Sequence, residues 1–336
     1  MDGFTPAIDD LRGQVDDALR NWLAERRAQL AYSGPLIDEM SRLLAAGGKR
    51  LRPSFCYWGY RSAGGRHHDA IVRAAASLEL LHTFAIVHDD IMDASDERRG
   101  EPTVHASLGL NAALLVGDLA LVLADDMFLG SDFDPLALAA AFDEYSRMRQ
   151  EVIVGQWLDI EATGDPYTTE ERARLVARLK SGRYSVVEPL AIGARLKGGF
   201  RALTEMLMAF GEPLGEAFQL RDDLLGLFGE RSDVGKPVDS DIREGKRNLL
   251  YAKTRAALSG RDESFFIRRW GGEDLSEDDI ERLRALVEST GARSATEELL
   301  DSLAAEALEA LAHAPVSEEV RSALGALARL ATIRRQ

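Results

Sequence analysis

Along most of this chain apolar residues recur three or four apart, as at Leu19, Trp22, Leu23 and Leu30 near the beginning and at Ile280, Leu283, Leu286 and Val287 further on. That spacing lines one side of an α-helix, whereas the strict alternation of a half-buried strand is nearly absent. Glycine and proline interrupt the pattern at Gly47-Gly48, Gly64-Gly65, Gly164-Asp165-Pro166, Gly198-Gly199, Gly235-Lys236-Pro237 and Gly271-Gly272, dividing it into roughly a dozen helices. The pattern predicts an all-α single domain. Residues 78–87 (LELLHTFAIV) are too apolar for a solvated face and predict a buried helix. The longest apolar stretch, 108–124, is broken by Asn111 and Asp118 and is too short to cross a bilayer comfortably, so no transmembrane segment is expected.

The candidate chemistry begins where the buried helix ends. His88-Asp89-Asp90-Ile91-Met92-Asp93, followed by Arg98-Arg99-Gly100, gathers three carboxylates and a cation pair in one short segment. Residues four apart share a helix face, so Asp89 and Asp93 reach toward one point while Asp90 points aside. Carboxylates held side by side repel, and a hard divalent cation removes that repulsion. Magnesium fits so sparse a protein contribution, because it keeps several waters and shares its other positions with substrate phosphates. Asp-Asp pairs also occur at Asp9-Asp10, Asp16-Asp17, Asp125-Asp126 and Asp278-Asp279, and Arg-Arg pairs at Arg26-Arg27 and Arg268-Arg269, as solvated helix faces in an acidic chain provide. Residues 89–100 differ in following a buried helix, where carboxylates need partners.

A second acidic group, Gln219, Asp222 and Asp223, shares one face of a helix ending near Phe228, and facing helices can hold metal between them. The loop beyond it carries Gly235-Lys236-Pro237 and Asp241-Ile242-Arg243-Glu244-Gly245-Lys246, which places two lysines close to this group as point charges for phosphate. A third cluster, Gly47-Gly48-Lys49-Arg50-Leu51-Arg52-Pro53, reads by itself equally as a glycine-ended helix with cations on its dipole. Together the groups offer two anion sites, one metal-rich and one purely cationic, around an apolar bundle. Two diphosphates and two hydrocarbon tails are implied.

Composition narrows the partners. The 336 residues are 46% hydrophobic and 29% charged, enough for a sizeable core, and the net charge of -15 argues against nucleic acid while making the basic clusters the landing sites for an anion. A single cysteine, Cys56, allows no internal disulfide, and Met1-Asp2-Gly3-Phe4 lacks the blocks of a signal peptide, so a cytoplasmic location is expected.

Gly47 to Pro53, Leu78 to Gly100, Lys180-Ser181, Gln219 to Asp223 and Gly235 to Lys246 resemble, in order and at similar spacing, the motifs of the trans-type polyprenyl diphosphate synthases. The resemblance covers nearly all of the chain after residue 35 and is closest to the short-chain geranylgeranyl diphosphate synthases. It implies a synthetase domain over 36–336, with residues 1–35 as a helical extension packing on the core. It also implies the isoprenoid-synthase helix bundle with a central elongation cavity, a homodimer, and about three magnesium ions per site. The reaction it implies joins isopentenyl diphosphate head to tail to an allylic diphosphate (dimethylallyl, geranyl or farnesyl). Asp89 and Asp93 then resemble ligands of two ions and Asp222 the ligand of a third, supported by Asp90 and Asp223. Arg98, Lys180, Gln219 and Lys236 resemble contacts of the allylic diphosphate, flanked by Ser181 and Lys246. Lys49, Arg52, His82 and Arg99 match the isopentenyl diphosphate site, and His82 lies two helical turns before Asp89, on the same face.

The chain departs from the family pattern at Gly226, where the third carboxylate of the second motif is missing, at Asn248 in place of the usual Thr, and at Ser181, also in place of Thr. Ala85 and Phe84, four and five residues before the first aspartate, match the floor of the elongation pocket. Phe84 is large enough to stop a long tail, so a geranylgeranyl product is expected, with farnesyl and geranylfarnesyl as neighbours. A class I terpene cyclase would have no use for Lys49, Arg52 and Arg99. A non-catalytic partner subunit has only Gly226 in its favour.

Overall fold

The computed structural model describes residues 5–199, 201–229 and 239–332. Its N-terminal run is α1 (Thr5–Gln29), α2 (Gly34–Ala45), α3 (Leu51–Ser62) and α4 (Asp69–Met92). A small hairpin, β1 (Glu97–Arg98) and β2 (Glu101–Pro102), leads to α5 (Val104–Leu108), α6 (Leu110–Leu129) and α7 (Pro135–Thr163). Next come α8 (Glu170–Ala177), a π-helix (Arg178–Val187), α9 (Glu188–Leu196) and α10 (Arg201–Phe228). The chain closes with α11 (Ser240–Arg243), α12 (Leu249–Ala257), α13 (Gly260–Arg269), α14 (Glu277–Ser289), α15 (Ala292–Ala312) and α16 (Glu318–Thr332). The fold is all-α, as the periodicity predicts. Glycine and proline undercount the helices because some join without a break, α8 running through the π-helix into α9.

The apolar run 78–87 lies in the middle of α4, where Leu78, Leu80, Leu81 and Val87 are buried. Each such side chain contributes about 2 kcal/mol. Helix α4 packs along α6 and against α3, and α3 lies on α9. Among the described residues α4 is the one helix long and apolar enough to cross a membrane, and it is built into the core. Helix α1 adds Leu11, Val15, Leu19 and Leu23 to the same core.

Helix α10 joins two apolar clusters. Phe210 and Leu214 belong to the large cluster of α1, α3, α4, α6 and α7, whereas Leu220, Leu224 and Leu227 belong to a second with Tyr251, Phe266, Trp270 and Leu283. The opposite face of its second half is left to polar residues opposite the end of α4.

Candidate active site

A cavity of about 920 Å³ lies between the end of α4, the π-helix, the second half of α10 and the loop before α3. Its wall includes Lys49, Arg52, His82, Asp89, Asp93, Arg98, Arg99, Lys180, Ser181, Gln219, Asp222, Asp223 and Lys246. Lys236 lies outside the described residues.

Asp89 and Asp93 face this cavity one turn apart at the end of α4, where the Asp93 amide donates to the Asp89 carbonyl at 2.8 Å. Lys180 Nζ donates to Asp89 Oδ1 at 2.8 Å and to Asp159 Oδ2 at 2.7 Å, and Lys246 Nζ donates to Asp93 and, at 3.1 Å, to Asp159. Asp159, on α7, therefore sits at the hub of two lysines and escaped the sequence reading, because a lone Asp in a helix looks like a solvated one. Burial alone would lower the Lys180 pKa, but the charges of Asp89, Asp159 and Asp93 override it and hold the ammonium well above the usual lysine range. Lys246 was expected beside the second acidic group. It reaches the first instead, since the turn at Gly245 (φ 71°) brings its side chain back toward α4.

Asp90 is not among the residues that line the cavity. It is buried behind the wall and accepts a two-pronged bond from Arg98, Nε at 2.9 Å and Nη2 at 2.7 Å. The hairpin explains how Arg98 and its neighbour diverge. Arg98 pairs with Glu101 across it, and Arg99 and Gly100 form the two-residue turn with φ 56° and 78°. Arg98 is thereby aimed back at α4, while Arg99 crosses to donate to the Gly47 carbonyl.

Lys49, Arg52 and Arg99 supply cations to the cavity lining, with Glu79 among them. Arg50, the third cation of its cluster, turns inward instead, pairing with Asp16 at 2.8 Å and Glu79 at 2.7 Å and tying α1 and α4 together. Arg52 donates to the Tyr184 hydroxyl at 2.6 Å and to Ser185 Oγ at 2.8 Å, and its guanidinium lies 4.3 Å above the Tyr184 ring. His82 Nδ1 meets the same hydroxyl at 3.0 Å. Burial, with Arg52, Arg99, Arg98 and Arg50 around it, holds the His82 pKa well below the usual histidine range. Both favour the neutral imidazole.

Tyr184 and Ser185 reach this site because they lie on the π-helix with Lys180 and Ser181. Ten residues of π-helix are unusual, and two glycine contacts accompany them. A Cβ at Gly155 on α7 would stand 2.4 Å from the Lys180 amide nitrogen, and one at Gly215 on α10 would stand 2.7 Å from the Gly182 carbonyl oxygen. The segment is gripped backbone to backbone on both sides.

Across the cavity Gln219 Nε2 donates to Asp223 Oδ1 at 2.7 Å. Burial pushes the Asp222 carboxyl up to about 6, against the opposing charges of Arg221, Lys49 and Arg52, and burial together with Asp241 holds Asp223 well above the usual carboxylate range. Phe84 and Ala85 are not among the residues that line the cavity, whereas Ile86 beside them is. The Phe84 ring packs edge-on against His88, centroids 4.9 Å apart, and His88 fits where Gly117 of α6 has no side chain. Ile86, Phe218, Leu225, Ala173, Val176 and Ala177 supply the apolar wall instead.

Among the described residues no three carboxylates, imidazoles or thiols converge on one point. Protein groups alone do not enclose a cation. Such an all-oxygen, incomplete donor set fits magnesium, which takes its remaining ligands from water and phosphate.

Residues 35–287 match the polyprenyl synthetase family model. The chain belongs to the polyprenyl synthetase family. This synthetase is 32% identical over 286 residues to the geranylgeranyl diphosphate synthase of Sulfolobus acidocaldarius, covering 83% of each chain. It is 33% identical over 296 residues to the (2E,6E)-farnesyl diphosphate synthase of Mycobacterium bovis, covering 86% of this chain and 79% of that one. Its fold matches, with a TM-score of 0.93 and 35% identity over 98% of this chain and 99% of the other, a geranylgeranyl pyrophosphate synthase from Corynebacterium glutamicum solved with isoprenyl diphosphate and magnesium. The synthetase is an enzyme, a prenyltransferase of the short-chain class.

Proposed function

We propose that this enzyme condenses isopentenyl diphosphate with an allylic diphosphate head to tail and releases geranylgeranyl diphosphate. One observation carries the reading: a single cavity is lined both by Asp89, Asp93 and Asp222 with Lys180 and Lys246, and by Lys49, Arg52 and Arg99 with His82. A cyclase, which holds one diphosphate, has no need of the second set.

Asp89 and Asp93 would hold two magnesium ions and Asp222 a third, with Asp223 in support. Magnesium, when bound, neutralises the allylic diphosphate and stabilises its charge as it leaves. Lys180 and Lys246 already stand on Asp89, Asp93 and Asp159, and they turn to phosphate oxygens once those carboxylates have cations. Arg98, fixed by Asp90, and Gln219 hold the same diphosphate, Ser181 flanks it, and Lys236 is assigned there too. Lys49, Arg52, Arg99 and His82 hold isopentenyl diphosphate with its double bond toward the allylic carbon. Ionisation leaves an allylic cation, which the apolar wall of Ile86, Phe218 and Leu225 shields from water. With His82 bonded to Tyr184 and the carboxylates carrying cations, the released diphosphate is the base that takes the proton after the new carbon–carbon bond forms.

Exposed apolar side chains on α6 (Leu110, Leu115, Val122) and α7 (Ile153, Trp157) support a homodimer through those helices. Helix α1 serves as scaffold, through Asp16 on Arg50. The buried placement of α4 and the lone buried Cys56 accord with a cytoplasmic enzyme.

The test is incubation of the purified chain with isopentenyl diphosphate and each allylic primer, with chromatography of the dephosphorylated products. A dominant geranylgeraniol peak is expected. Cyclic hydrocarbon formed without isopentenyl diphosphate, a chain of seven or more isoprene units, or no turnover by the folded protein would each count against the reading.

A further inference from the structure

Lys49, at the end of the loop before α3, and Arg52, in the first turn of α3, flank a residue of unusual conformation. Arg50, the N-cap of α3, has φ 49° and ψ 42°. That is the left-handed region, whereas an N-cap is ordinarily extended and a long side chain seldom adopts positive φ. The Arg50 carbonyl accepts from the Ser54 amide at 3.1 Å and from Ser54 Oγ at 2.8 Å, so the direction in which α3 leaves the loop, carrying Arg52, is set at this residue. Such a backbone persists only where its surroundings hold it.

The grip is on the Arg50 side chain, which is buried and reaches three elements. Nη2 donates to the Leu44 carbonyl of α2 at 2.6 Å, Nη1 to Glu79 Oε2 of α4 at 2.7 Å, and Nε to Asp16 Oδ1 of α1 at 2.8 Å. On its other side the loop meets Arg99: a Cβ on Gly48 would lie 3.5 Å from Arg50 Nη1 and 3.7 Å from Arg99 Nη2, so the backbone runs between two guanidinium groups. Asp16 differs from these partners in origin. Helix α1 precedes residues 35–287, which carry the family match, and Asp16 is not among the residues that line the cavity.

We propose that Asp16 is a positioning residue for isopentenyl diphosphate: through Arg50 it fixes the left-handed turn that sets Lys49 and Arg52 at the cavity, without touching substrate itself. The proposal rests on the reading of Lys49, Arg52, Arg99 and His82 as the isopentenyl diphosphate site. Leu11, Val15, Leu19 and Leu23 keep α1 in the core when Asp16 is replaced, so the loss falls on Arg50, whose Nε is then left without its acceptor.

The experiment is steady-state kinetics of the full chain, each substrate varied while the other is saturating. Asp16→Ala should raise KM for isopentenyl diphosphate about tenfold, the effect of losing a hydrogen bond to a charged group, and leave kcat and the allylic KM within about twofold. Asp16→Asn keeps the acceptor oxygen without the charge and should raise the same KM by only about threefold. Arg50→Ala should raise it too, and adding Asp16→Ala to that variant should change it by less than about twofold, because Asp16 acts through Arg50. Parallel rises in both KM values, or a lower melting temperature with both KM values unchanged, would show a merely structural Asp16 and overturn the proposal, as would additive effects in the double variant. Unchanged KM for isopentenyl diphosphate in Asp16→Ala, while Arg99→Ala raises it, would overturn this proposal alone. Unchanged KM in Arg99→Ala would overturn the site assignment beneath it. Should Asp16→Ala or Arg50→Ala fail to fold, Asp16→Asn decides: a wild-type KM in that variant overturns the proposal.

Discussion

Lys180 Nζ lies 2.8 Å from Asp89 Oδ1, so the first carboxylate of the acidic run already carries a cation. Both side chains are mostly buried, and removing one leaves the other without its partner. Lys180→Ala should destabilise the metal-free protein by about 1–3 kcal/mol, at the low end for a buried pair because some water remains. Magnesium with inorganic diphosphate should then raise the melting temperature of the variant by more than it raises that of wild type. Melting curves in EDTA and in magnesium diphosphate check this, and equal gains in the two proteins would contradict it.

Asp222 gives a pH dependence. Its carboxyl, pushed up to about 6 by burial, is ionised above that pH and must shed a proton to take a cation below it. Apparent magnesium affinity should therefore fall as pH drops through 6, by up to about tenfold per unit. Calorimetry in two buffers of different ionisation enthalpy should show about one more proton released at about pH 5 than at about pH 8. The titration of diphosphate itself is common to Asp222→Asn, which loses only the share due to Asp222.

Gly155→Ala tests the grip on the π-helix. The new methyl would meet the Lys180 backbone, and overpacking of this kind costs about 1–3 kcal/mol. The variant should lose at least about tenfold in kcat, since an ångström of displacement at a reacting site is costly. Its KM for isopentenyl diphosphate should also rise, because Tyr184 and Ser185 ride on the same segment. A full-rate enzyme would show that the segment adapts.

Much of this could be read from the chain. The apolar run before Asp89 marked α4 as buried, and the spacing of Asp89 and Asp93 put both on one face of it. What the sequence hid depended on contacts between distant segments. The π-helix has no periodicity of its own, and the close approaches at Gly155, Gly182 and Gly215 that accompany it join segments far apart in the chain. Asp159, Tyr184 and Ser185 become site residues only when α7 and the π-helix close on α4. Arg50 and Asp90 sit within site motifs, yet burial gives them to Glu79 and Arg98. The lysine of Gly245-Lys246 crosses to the first acidic group, a path no spacing rule follows.

Product length is read at α4 and α6. Phe84 stands behind the present wall, edge-on to His88, whose ring fills the gap at Gly117. A growing chain that passes Ile86 meets this pair next. Phe84→Ala should shift product toward chains longer than geranylgeranyl, and Gly117→Ala, which displaces the His88 ring, should alter the length distribution as well. Radiochromatography of the dephosphorylated products measures both, and unchanged chain lengths in Phe84→Ala would place the stop elsewhere.

The central claim, that one cavity holds two diphosphates on opposite walls, is tested most directly by the KM of each substrate in Arg99→Ala and Lys246→Ala. Arg99 is exposed and donates to the loop carbonyl of Gly47, so its removal spares the core. Arg99→Ala should raise KM for isopentenyl diphosphate about tenfold and leave that for the allylic substrate within about twofold, and Lys246→Ala should do the reverse. Equal rises for both substrates in both variants would contradict two separate sites.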